Sequence, residues 1–153
     1  EMRSLGICLR KLSQSLKNVS LHFHADFRTE HAAELYQHLK LLDTIESLEI
    51  VYSSVVKGKG KPSICEVIEP LKSIKNINLN LGKMFSENEI EPLLKTLSRV
   101  KNLERFQLTN QIVKLKNTTI NLMQGFARKM PDNLSKLEIL FPEARYNFYW
   151  KKF

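Results

Sequence analysis

The sequence predicts an α/β solenoid, with parallel strands side by side and helices stacked behind them. Three observations predict it. One apolar phrase recurs at a nearly fixed step, helix-type periodicity fills the chain between its copies, and no single copy can bury both of its apolar faces alone. The phrase is Leu16-x-x-Val19-x-Leu21, repeated as Ile45-x-x-Leu48-x-Ile50, Ile74-x-x-Ile77-x-Leu79, Leu103-x-x-Phe106-x-Leu108 and Leu134-x-x-Leu137-x-Ile139. Its first positions lie 29, 29, 29 and 31 residues apart, and all fifteen apolar slots hold Leu, Ile, Val or Phe in a chain only 42% hydrophobic. Chance does not produce this.

Taken in order, residues 4–15 carry Leu5, Leu9 and Leu12 at helical spacing. The repeat step makes this the helical half of a unit whose strand would precede residue 1. A strand is predicted at 19–23, where apolar and polar side chains alternate. A helix follows over 29–42, with Thr29 as N-cap and Ala32, Leu35, Leu39 and Leu42 inward. The second strand is predicted at 48–52. After a loop from Ser53 to Pro62, Ser63-x-x-Glu66 reads as a capping box opening a third helix, which Pro70 shortens.

The third strand is predicted at 77–81. Ser86-x-x-Glu89 is a second capping box, and Pro92 requires the helix behind it to begin late. The fourth strand is predicted at 106–109, a fifth helix at 118–130 stopped by Pro131, and the fifth strand at 137–141. The tail from Pro142 matches no repeat and is dense in aromatics.

Stacked units of this kind must curve with the sheet inside, because helices are wider than strands (roughly 10 Å against ~4.8 Å). The chain resembles the leucine-rich repeat proteins, and its step is similar to that of their long, ribonuclease-inhibitor-like subclass. The resemblance covers residues 5–141. It implies a curved right-handed β–α superhelix with five parallel strands on the concave side and helices on the convex side. Residues 1–141 would form the array, its first repeat partial, and 142–153 an aromatic and basic cap or docking tail. One departure matters. Three residues after the last strand leucine, where the family usually has Asn or Cys, stand His24, Ser53, Gly82, Gln111 and Pro142. Irregular turns are expected there.

The bulk numbers fit one globular domain: 153 residues, 26% of them charged, with no apolar run long enough to span a bilayer. The N-terminal stretch lacks a signal-peptide pattern. Because Glu1 precedes Met2, it reads as a boundary within a longer chain or an incomplete N-terminus. Cys8 and Cys65 are too few for a disulfide framework and read as small side chains in a reducing compartment. Sequons stand at Asn18, Asn117 and Asn133, a mild excess over chance, and Asn18 falls within a strand. An intracellular location, cytoplasmic or nuclear, is expected.

The period also lists side chains that stack from unit to unit. On the concave face one row is Ser20, Glu49, Asn78, Gln107 and Glu138, and the next is His22, Val51, Asn80, Thr109 and Leu140. The resemblance implies that these ten contact a partner protein. None is Lys or Arg, which argues against a nucleic-acid groove there. At the strand entrance Lys17, Glu46, Lys75, Glu104 and Ser135 follow one another, and the alternating signs are expected to pair.

Net charge is +8, carried by 17 Lys and 7 Arg. A polyanion, if bound, is expected at the loop lysines Lys57, Lys59 and Lys61, or at Arg105, Lys114 and Lys116 of the fourth repeat. The loop lacks the GxxxxGK[ST] phosphate-binding pattern. His22, His24 and Asp26 alternate along one strand but have no evident fourth ligand, so no metal and no cofactor is expected. Two readings of the tail stay open. It covers the end of the array, or it docks another chain through Tyr146, Tyr149 and Trp150 beside basic residues.

No GxSxG, HExxH, paired CxxC or glycine-rich nucleotide loop occurs, so a non-catalytic interaction module or scaffold within a larger assembly is expected. The alternatives are a basic module binding nucleic acid or another polyanion through loops and tail, and the substrate-recognition part of a ubiquitin-ligase adaptor.

Overall fold

The computed structural model describes residues 2–24, 28–53 and 63–152. It is an α/β fold built on one six-stranded sheet of order β1-β2-β3-β4-β5-β6. The strands are β1 (Asn18–Phe23), β2 (Ser47–Tyr52), β3 (Asn76–Gly82), β4 (Arg105–Asn110), β5 (Lys136–Phe141) and β6 (Tyr146–Lys151). The helices are α1 (Met2–Lys11), α2 (Thr29–Leu39), α3 (Ile64–Ile68), α4 (Ile90–Arg99) and α5 (Asn117–Ala127). None of the described helices is long and apolar enough to cross a membrane.

The first five strands are parallel, and equivalent positions of the repeated phrase are direct neighbours. Val19, Leu48, Ile77, Phe106 and Leu137 form one continuous row, and Leu21, Ile50, Leu79, Leu108 and Ile139 the next. The two extra residues of the last interval are absorbed between β4 and β5 without changing register. Nearly all of these side chains are buried against the helices, together with Leu35, Leu39, Ile68, Leu93, Leu97 and Met123. A one-residue slip would turn every one of them to the opposite face, so burial on one side pins the pairing.

The strand entrances carry their own backbone ladder. Lys17 O accepts the N–H groups of Glu46 and Ser47, Glu46 O those of Lys75 and Asn76, Lys75 O those of Glu104 and Arg105, and Glu104 O those of Ser135 and Lys136. Each unit thereby satisfies the backbone of the next, as buried peptide groups require. A row of side chains reinforces it. Thr44 donates to the carbonyls of Ser13 and Leu16, Asn102 Nδ2 to Lys72 O at 2.6 Å, and Asn133 Nδ2 to Leu103 O at 2.7 Å.

The helices depart from expectation in informative ways. Along α1 and the turn after it only Leu9 of the apolar stripe is buried, while Leu5 and Leu12 are 40% and 50% exposed. This helix packs on α2 and has no strand of its own unit beneath it among the described residues. Arg28, not Thr29, is the residue preceding the first turn of α2. Ser63 makes no side-chain cap bond, so the expected Ser63–Glu66 capping box does not form, and α3 is only five residues long. The second box does form, with Ser86 N–H and hydroxyl both donating to Glu89 Oε2 at 2.7 and 2.8 Å. A 3₁₀ turn over Glu87–Glu89 then delays the start of α4 to Ile90, placing Pro92 in its first turn. There a missing N–H costs no intrahelical bond.

The tail is a sixth strand, which the repeat pattern did not anticipate. β6 runs antiparallel to β5, with Phe148 opposite Ile139, Trp150 opposite Leu137 and Tyr146 opposite Phe141. A tight reversal makes this possible: Arg145 N–H donates to Pro142 O at 3.2 Å, and Arg145 adopts a left-handed φ of 52°. Lys152 N–H then donates to Ser135 O, extending the entrance ladder to the last strand.

Candidate functional site

Alternation along the strands leaves one whole face of the sheet without helices. On it the first expected row, Ser20, Glu49, Asn78, Gln107 and Glu138, is continuous in register and gains Tyr149 from β6. The second row, His22, Val51, Asn80, Thr109 and Leu140, is also continuous and gains Asn147. All ten expected side chains are thus brought together, and each is half-buried or exposed. A third row at the strand starts, Asn18, Ser47, Asn76, Arg105, Lys136 and Lys151, shares the face. The first and third rows line an open depression of about 470 Å³ across five strands.

Charge is unevenly distributed over this surface. Towards β1, the Glu49 carboxylate accepts from Ser20 Oγ at 2.5 Å and Asn78 Nδ2 at 2.9 Å, with His22 Nε2 at 3.4 Å. The Ser20 bond, followed by that of His22, holds its carboxyl below the usual range. Towards β6, Arg105, Lys136 and Lys151 stand on three adjacent strands. Lys136 Nζ lies 2.8 Å from Glu138 Oε1, whereas the side chains of Arg105 and Lys151 make no ion pair or hydrogen bond to a described residue.

At the entrance, Glu46 sits between two lysines, paired with Lys17 and, at 2.9 Å, with Lys75. Hydrogen bonds from these ammonium groups lower its carboxyl from 4.5 to about 2. The alternation of signs pairs as expected over these three residues. Glu104 and Ser135 instead join through Ser135 Oγ, which donates to Glu104 O at 2.9 Å.

The remaining candidates are dispersed. Lys114 and Lys116 are exposed in the connection from β4 to α5, beyond the exit of β4, whereas Arg105 stands at its entrance. The length of the strand, about 16 Å, separates them. Lys57, Lys59, Lys61 and Asp26 lie outside the described residues. No group of three or more His, Cys, Asp or Glu side chains that could hold a metal occurs among the described residues. Of the tail aromatics, Tyr146 and Trp150 pack half-buried against the core, and Tyr149 points to the open face with 62% exposure. Cys8 is exposed, and burial raises the Cys65 thiol above its ordinary value.

Two important residues escaped the sequence reading. Asn110 is wholly buried, donating from Nδ2 to Gly82 O at 2.9 Å and Phe85 O at 3.0 Å while its Oδ1 accepts from Ile112 N–H at 2.8 Å. It falls one position before Gln111, the third residue after the last aliphatic position of its strand. Glu87 accepts from Lys116 N–H at 2.7 Å and Thr119 Oγ at 2.5 Å, and so caps α5 from the preceding unit. Its partners are a backbone N–H and a hydroxyl 29 and 32 residues downstream, which no local motif in the sequence links to it. No family model matches the sequence, and no curated protein matches it.

Proposed function

We propose that this chain is a non-catalytic leucine-rich-repeat module, a curved solenoid whose open sheet face binds another protein. One observation carries the reading. Six strands present three continuous rows of polar and charged side chains around a depression of about 470 Å³, on the face that the helices leave uncovered. A surface of this kind offers a partner regularly spaced donors and acceptors on a rigid frame, with Val51, Leu140 and Tyr149 as apolar contacts. The strict in-register stacking and the 29-residue step support the family assignment. A polyanion-binding module has less support, because Arg105 and the Lys114–Lys116 loop lie at opposite ends of β4 and make no continuous track.

The test is affinity purification from nuclease-treated extract with three proteins: the wild type, Asn78→Arg/Gln107→Arg on the open face, and Glu91→Arg on α4. A partner retained by the wild type and the α4 variant but lost from the open-face variant is the expected result. It should persist as salt is raised to about 0.5 M, where phosphate contacts weaken steeply. Partners lost equally from both variants would refute the assignment of the face.

A further inference from the structure

We infer that the strand-entry corner of the open face, formed by Arg105, Lys136 and Lys151, seats an acidic segment of a partner polypeptide; this rests on the open face being the binding surface. The three cations are direct neighbours in register, on strands spaced ~4.8 Å apart, so their backbones span about 10 Å. Like charges facing one another across strands destabilise a sheet. The adjacent row, one residue earlier, avoids this by alternating Lys17, Glu46 and Lys75 into ion pairs. The corner does not alternate. Only Lys136 has a carboxylate beside it, Glu138 at 2.8 Å, and the Arg105 and Lys151 side chains have no partner among the described residues.

At the other end of the same row stand uncharged Asn18, Ser47 and Asn76. The nearby Glu49 is already supplied with donors by Ser20 and Asn78. The unsatisfied charge on the face is therefore positive and concentrated at one end. A guanidinium fork at one end of a row continued by two ammonium groups matches carboxylates presented close together, which Arg can bind bidentately. Tyr149 stands in the next row, opposite Glu138, and offers an aromatic surface to the same segment. A nucleic-acid strand fits less well. Its phosphates would run beyond a ten-ångström corner and meet the carboxylates of Glu138 and Glu49 on the same face.

The experiment is selection of a random 12-residue peptide library on the purified chain, followed by anisotropy titration of the enriched peptides. Enrichment of acidic peptides is expected, with binding about tenfold weaker or more for Arg105→Glu/Lys136→Glu. Lys101→Glu/Lys129→Glu, which makes the same change in net charge away from the face, should retain it. Circular dichroism and urea midpoints check that each variant is folded. Uncharged or basic peptides that bind and are lost with Asn78→Arg/Gln107→Arg would leave the face as the binding surface and overturn the acidic assignment. Enriched peptides indifferent to every face substitution would overturn both. Absence of enrichment overturns the acidic assignment. So does tighter binding at this corner of a 12-nucleotide single-stranded DNA than of an acidic 12-residue peptide of equal charge.

Discussion

Glu46 shows how much of this protein rests on side chains one repeat apart. Two lysines, each 29 positions away, hold its carboxyl at about 2, below the ordinary 4.5. A depressed carboxyl stabilises the fold above its unfolded-state value and loses that contribution as pH falls through the folded one. Wild-type stability should therefore decline between about pH 4.5 and 2 more steeply than that of Glu46→Gln, measured as urea midpoints. Because all three side chains are solvated, added salt should shrink the difference. Asn110 is the opposite case, fully buried with both ends of its amide bonded. Asn110→Ala removes three buried hydrogen bonds, leaves Ile112 N–H without its acceptor and Gly82 O with only its bond from Gln111 N–H, and should cost about 3 kcal/mol by equilibrium denaturation. Neither partner of Asn110 was visible in the sequence, since the turn after β3 has to close before Gly82 and Phe85 reach it.

At the scale of elements, an i, i+3 spacing did not by itself decide whether a cap formed. Ser86 and Glu89 close their box around a tight 3₁₀ turn, whereas the same spacing at Ser63 and Glu66 yields no cap on a five-residue helix with Glu66 in solvent. The cap of α5 is borrowed. Glu87, from the turn before α4, places its carboxylate on Lys116 N–H and Thr119 Oγ, where the helix dipole also favours an anion. Burial of Glu87 opposes ionisation, but the Thr119 and Lys116 contacts outweigh it and its carboxyl lies below the ordinary value. Glu87→Ala should destabilise by about 1 kcal/mol, with the added hydrogen exchange concentrated in the first turn of α5.

Across the whole molecule, stability passes from unit to unit through the sheet and its entrance ladder, and β6 closes one end. Its Phe148 is buried, and Tyr146 and Trp150 cover the same flank as Ile139 and Leu137. Removing residues 142–153 should expose the edge of β5 and its apolar row, lower the urea midpoint and produce self-association detectable by light scattering. A truncated chain that stays monomeric with an unchanged midpoint would show that β6 contributes nothing to the end of the sheet. Phe148→Ala gives a milder form of the same test, at about 3 kcal/mol.

The strands, their order along the sheet and the two rows of the open face were legible from periodicity, because alternation and a constant step leave one register that buries every aliphatic side chain. The sixth strand was not, although Tyr146, Phe148 and Trp150 alternate. Its antiparallel course depends on a turn through Arg145 that no repeat foreshadows. Folding likewise decided which charges found partners. Glu87 reaches a helix about thirty residues downstream, and β6 brings Lys151 beside Lys136. A period describes what each unit shares with the next. The unpaired charge on this face arises where the units stop being alike, and only three-dimensional neighbours determine that.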